Sequence, residues 1–103
     1  MLELIRSKQD EIAALCRQHH VKRLSAFGSV VREDFDPRRS DVDLRVEFDS
    51  DIPIEEYAEN YFALRHALVS LFDREIDLIS AKTIRNPYFR KELEATRVAV
   101  YAA

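Results

Sequence analysis

Glycine is almost missing from this sequence. Only Gly28, one residue in 103, lacks a side chain. Close approach of bare backbone to a ligand, and a positive φ free of any Cβ penalty, are therefore available at that one place. Cysteine is as scarce: Cys16 is alone and cannot form an internal disulfide, which fits a reducing compartment. No apolar run reaches the length of a bilayer span, and no signal-peptide pattern opens the chain. The expected location is cytoplasmic, with no membrane partner. Positive charge is not in excess either, with 16 Lys and Arg against 19 Asp and Glu and a net charge of -3. A protein that holds long nucleic acid by its phosphates is more often basic, so direct nucleic-acid binding is not expected. A nucleotide stays open, because bound magnesium can bring the positive charge.

What is present is the composition of an ordinary folded protein, 47% hydrophobic and 34% charged. A chain of 103 residues is expected to form one domain over 1–103, with one core. No repeat or low-complexity segment interrupts it. Residues 2 to 19 read as a helix with Leu2, Ile5, Ile12, Leu15, Cys16 and His19 near one face and a break in the stripe at Lys8 and Gln9. His19 and His20 invite a metal reading, but adjacent helical residues do not face each other, and a histidine at a helix C-terminus complements the dipole. Val21 to Phe27 reads as a strand that Gly28 ends, with Leu24 and Ala26 on one face and Val21, Ser25 and Phe27 on the other. Val30 to Asp34 suits one helical turn, and Asp36 to Ser40 a turn.

Val42 to Phe48 alternates, with Val42, Leu44, Val46 and Phe48 on the core side and Asp43, Arg45 and Glu47 opposite. Asp49 to Asp51 breaks the strand and offers an N-cap, with Pro53, Glu55 and Glu56 marking a helix start. Apolar residues then recur at the helical period to residue 72. Glu75 to Ile79 is the third expected strand, 87 to 95 a short helix, and Val98 to Tyr101 a closing strand. The fold class is α/β or α+β, a small mixed β-sheet of about four strands flanked by helices. Tyr57, Tyr61, Phe62, Tyr88 and Phe89 exceed what a small core requires, which reserves some of them for a partner.

The chemistry gathers in Phe27 to Phe48. Asp41 and Asp43 are two apart on one strand, which puts them ~7 Å apart on the same face. Two such carboxylates are costly to keep ionised together unless a cation lies between them. Magnesium takes one or two carboxylates along with phosphates and water, and a pair of such ions serves in-line displacement at phosphorus. Asp77, on a later strand, can complete the site or take the proton of an attacking hydroxyl. Gly28 and Ser29 follow a strand, where bare backbone, a hydroxyl and a helix start suit a phosphate. Ser40 adds a hydroxyl, and Arg32, about a turn after Ser29, is a candidate for the terminal phosphate. Taken singly, these are a common turn, an ordinary polar strand face and a surface ion pair; their joint order is what points to a metal and nucleotide site.

In Phe27-Gly28-Ser29, Arg32, Ser40-Asp41-Val42-Asp43-Leu44 and Asp77 within Glu75 to Ile79, the chain resembles the minimal nucleotidyltransferases of the DNA polymerase β-like superfamily, the antitoxins of HEPN/MNT toxin–antitoxin pairs. The resemblance runs from the first helix to the last strand. It implies a nucleotidyltransferase fold using ATP and Mg2+, with Gly28, Ser29, Arg32 and Ser40 at the nucleotide and Asp41, Asp43 and Asp77 as catalytic metal ligands. It also implies transfer of AMP to a tyrosine of a HEPN ribonuclease toxin, as the antitoxin of a type VII pair and in a hetero-oligomer. Val30 to Ser40 is one residue longer than the family pattern, which leaves the position of Arg32 open. The superfamily's small-molecule and nucleic-acid transferases resemble one another in carrying an extra acceptor domain, for which this chain has no residues, so a protein acceptor brought by the partner is expected. Neutralisation of the toxin by binding alone, or service as the subunit of a small-molecule transferase, are the alternatives.

Overall fold

The computed structural model describes residues 2–28, 42–81, 86–88, 90–91 and 97–103. Alternating and apolar stretches become β1 (Val21–Phe27), β2 (Val42–Phe48), β3 (Ile76–Ser80) and β4 (Val98–Ala102), and the helices are α1 (Leu2–Arg6), α2 (Gln9–Gln18) and α3 (Ile54–Phe72). The four strands form one mixed sheet in the order β3-β2-β1-β4. β1 runs antiparallel to both β2 and β4, while β2 and β3 are parallel. A parallel pair needs a long crossover, and α3 supplies it.

The alternation of β2 survives intact, with Val42, Leu44, Val46 and Phe48 buried and the residues between them half-exposed. These four join Leu24, Ala26, Ile76, Leu78 and Val100 under Ile12 and Cys16 of α2 and Leu64 and Leu68 of α3. Each fully buried leucine contributes about 2 kcal/mol of transfer free energy. β1 departs from simple alternation: Ser25 and Phe27 are buried as well as Leu24 and Ala26, so both faces of its second half are covered.

The expected first helix is two helices. Lys8 N–H closes a tight turn on the Ile5 carbonyl (3.1 Å), and Ser7 Oγ donates back to the Leu4 carbonyl (3.0 Å). α2 then begins with Ile12 N–H on the Lys8 carbonyl. The polar interruption of the stripe has a use, since Gln9 Nε2 donates to the Val100 carbonyl of β4 at 2.6 Å. The N-cap of α3 is Pro53, with no side-chain cap, rather than a residue of Asp49 to Asp51. In the last predicted helix residues 87, 88, 90 and 91 are helical, and the remainder lies outside the described residues.

With one glycine in the chain, two tight corners fall to other residues. His20 (φ 59) and Asp73 (φ 53) adopt the left-handed conformation, after α2 and α3 respectively. Histidine and aspartate are among the types that tolerate it. His19 Nδ1 donates to the Leu15 carbonyl at 2.8 Å, so this ring closes a helix end. Among the described residues no group of three or more His, Cys, Asp and Glu is placed to hold a metal ion, and no helix is long and apolar enough to cross a membrane.

Cys16 is fully buried, and burial pushes its thiol up to about 12 against the nearby positive charge of Arg17. In the unfolded chain the thiol ionises near 9.0, so above that pH the unfolded state holds fewer protons than the folded one. Stability is expected to be unaffected by Cys16 below pH 9 and to fall between pH 9 and 12, and Cys16→Ala should flatten that decline in urea titrations.

Candidate active site

Parallel register places the first two acids. Asp43 of β2 is the partner of Asp77 of β3, flanked by the pairs Val42–Ile76 and Leu44–Leu78. In-register residues of adjacent strands share a face at about 4.8 Å between strands. Because Val42, Leu44, Ile76 and Leu78 all point into the core, Asp43 and Asp77 stand together on the opposite face. Asp43 is half-exposed and Asp77 exposed. The next pair along that face is Arg45 with Ile79. Arg45 is thus a cation in line with the two carboxylates; the β2 alternation places it on that face, but no motif singles it out as a site residue.

On the other side of β2, Phe27 is the partner of Asp43, and Gly28 follows directly. Gly28 has φ +69, and its backbone lies against the Asp43 side chain. A Cβ at Gly28 would fall 3.2 Å from Asp43 Cγ and would overlap Oδ2. The glycine is therefore required twice, by backbone conformation and by the carboxylate packed over it. The bare backbone of Gly28 and the oxygens of Asp43 and Asp77 occupy one end of the sheet. An oxygen-rich set of this kind suits a hard cation such as magnesium.

Of the expected site residues, the structure brings Gly28, Asp43 and Asp77 together. Ser29, Arg32, Ser40 and Asp41 lie outside the described residues, as do the expected turn at 30–34 and Phe89. Beside Asp77, α3 is fastened to the edge strand by two hydroxyls that the motif does not contain. Tyr61 donates to the Leu78 carbonyl, and Tyr57 is hydrogen-bonded to Ser80 Oγ. The Tyr61 phenol is pushed up by burial, opposed by Arg65 and reinforced by Asp77 and Tyr57, which puts this ring within the field of Asp77.

Among the described residues, α3 borders cavities on two sides. One, of about 430 Å³, lies between His20, Asp51, Pro53 and Glu56 near the start of α3. The other, about 350 Å³, lies between α3 and β3 and is lined by Tyr57, Tyr61, Phe62 and Ile79 among others. Only the second adjoins the strand that carries Asp77, so the larger is not the one next to the acids.

The nucleotidyltransferase domain family matches residues 10–100. A Methanocaldococcus jannaschii protein that bears the name protein adenylyltransferase is 33% identical over 98 residues, covering 87% of this chain and 95% of its own. A second from the same organism and with the same designation is 31% identical over 86 residues, covering 84% of this chain and 83% of its own. Among solved structures, one described as a minimal nucleotidyltransferase superposes with a TM-score of 0.76 at 27% identity, covering 94% of this chain and 93% of its own. A complex of a tri-AMPylated Shewanella oneidensis HEPN toxin with its MNT antitoxin shares the fold, with a TM-score of 0.65 at 15% identity over 96% of this chain and 73% of that one.

Proposed function

The chain belongs to the nucleotidyltransferase domain family, among its minimal nucleotidyltransferases, and from that premise we propose that it moves AMP from ATP to a tyrosine hydroxyl of a partner HEPN ribonuclease toxin. In this reading it is the antitoxin of the pair. The observation that carries the proposal is the register of Asp43 with Asp77, beside a glycine whose backbone closes on Asp43. The relatives named protein adenylyltransferases support AMP transfer to protein. The fold neighbour seen with a HEPN toxin supports the choice of partner.

The residues divide the work by position. Asp43, with Asp41 two residues earlier on the chain, is the proposed carboxylate ligand set, and Asp77 completes it. Magnesium held there supplies neutralisation of the triphosphate charge. Gly28 and Ser29 bind phosphate oxygens through backbone N–H groups, with Arg32 and Ser40 as further contacts. The acceptor oxygen forms a bond to the α-phosphorus, the bond from that phosphorus to the β-phosphate oxygen breaks, and pyrophosphate leaves. The hydroxyl proton passes to Asp77, the more exposed acid of the pair.

The test is to express the product of the neighbouring reading frame, a HEPN protein on this reading, to incubate the two together and to follow intact mass. One or more AMP increments on a tyrosine of the partner, requiring both ATP and magnesium, are expected. Full silencing of the partner without nucleotide, and no mass change with it, would show neutralisation by binding alone and overturn the transfer reading.

A further inference from the structure

The outward side of α3 carries large apolar groups that the core does not use. Ile54 is 85% exposed and Phe62 64% exposed. With Ala58, also exposed, they recur every four residues and form one stripe along the helix, about 12 Å from end to end. The stripe runs into the cavity between α3 and β3, where Ala58 and Phe62 face Leu78 and Ile79. α3 runs antiparallel to β3, with Tyr57 on Ser80, Tyr61 on Leu78 and Arg65 on Glu75, so Phe62 is the end of the stripe nearer the acids and Ile54 the end farther from them.

Two features restrict what can cover it. The first is charge: Asp51, Glu55, Glu56 and Glu59 are all exposed around the stripe, and the first basic residue of α3 is Arg65, which is paired with Glu75 at 3.2 Å. A complementary surface has apolar side chains rimmed by lysine and arginine. The second is the edge of the sheet. β3 is an edge strand, and its outward carbonyl at Leu78 is already taken by the Tyr61 hydroxyl. An incoming strand would have to compete with that hydroxyl for the Leu78 carbonyl, which favours side-chain packing as the mode of contact.

We propose that the Ile54–Ala58–Phe62 face of α3, with the adjoining cavity against β3, is the docking surface for a basic, amphipathic helix of the partner protein. This rests on the proposed function for the identity of the partner. A ribonuclease needs a basic surface to hold RNA phosphates. Docking on this face sets that surface against four carboxylates, with the Phe62 end of the stripe the one nearer Asp77.

The test uses the full chain with the product of the neighbouring reading frame, the HEPN protein of the proposed function, measured by calorimetric titration without nucleotide and by AMP incorporation with it. Phe62→Ser is expected to weaken binding by about tenfold or more. Glu55→Lys with Glu59→Lys should weaken binding further at low salt than at high salt, because screening already suppresses that attraction. Phe62 is exposed, so circular dichroism should show an unchanged fold. For transfer, Phe62→Ser should raise the KM for the partner and leave kcat at saturation near wild type. Unchanged affinity and KM in Phe62→Ser, alongside normal AMP transfer, overturn the docking surface and leave the enzymatic reading intact. Loss of binding in a pair that never transfers AMP upholds the surface and overturns the enzyme. A Phe62→Ser change in the chain's own sedimentation, with partner affinity unaltered, assigns the face to a second copy and overturns the proposal, as does a wild-type chain that fails to bind the HEPN protein at all.

Discussion

Replacing Asp43 with asparagine is expected to cut AMP transfer on the order of 10³-fold and to leave the fold in place. The side chain belongs to the outer face of β2, between Val42 and Leu44, whose burial holds the strand whatever stands at 43. Asparagine has nearly the same shape, so the substitution removes the charge and little else. A hard cation loses most of its attraction to a site when a carboxylate becomes an amide, and the triphosphate then meets an uncompensated field. Asp77→Asn should act in the same direction, since Asp77 is the in-register partner of Asp43. Both variants should melt close to wild type, because neither residue lies in the core. The measurement is the initial rate of AMP incorporation into the partner across a magnesium series. A rate above one tenth of wild type at saturating magnesium would remove Asp43 from the ligand set.

Gly28→Ala should cost far more activity than stability. The left-handed backbone at φ +69 penalises any Cβ by roughly 1–2 kcal/mol. The steric consequence is local: the new methyl group takes the place of Asp43 Oδ2, so the carboxylate must swing away. Displacement of a reacting group by about 1 Å can cost about a hundredfold in rate, and a loss of that order is expected here. The two contributions separate in a double-mutant cycle. In an Asp43→Ala background the added methyl meets no carboxylate, so Gly28→Ala should then cost only its backbone penalty. If instead Gly28→Ala transfers AMP at the wild-type rate, the close packing of Gly28 on Asp43 has no part in the reaction.

Much of the architecture was legible because it is local. The period-2 pattern of Val42 to Phe48 requires only that successive side chains alternate, and β2 has the limits and the buried face that pattern predicts. The helix from Ile54 to Phe72 is legible for the same reason, since apolar residues at the helical period outweigh the lack of a side-chain cap. The break between α1 and α2 was visible only as an imperfection at Lys8 and Gln9. What the polar residue there does is a contact 91 residues away, Gln9 with the carbonyl of Val100. The aromatic surplus was visible too, but not its division. Tyr57 and Tyr61 turn their hydroxyls to Ser80 and Leu78, while Phe62 and Tyr88 remain exposed.

By itself the sequence determined the identities of the acids, the side of β2 on which Asp43 stands, and the single position where backbone can be bare. Side-chain alternation and the absence of a Cβ are properties of a few consecutive bonds, and no distant residue alters them. Only the tertiary structure decided that Asp77 stands beside Asp43 rather than one residue up or down, because that register depends on how α3 crosses and packs between two strands 27 residues or more apart in the chain. It also decided that Gly28 lies beneath the Asp43 carboxylate, since that follows from the antiparallel pairing of Phe27 with Asp43. A strand slipped by one residue would turn every acid to the wrong face, and the buried rows of Val42, Leu44, Ile76 and Leu78 prevent that slip.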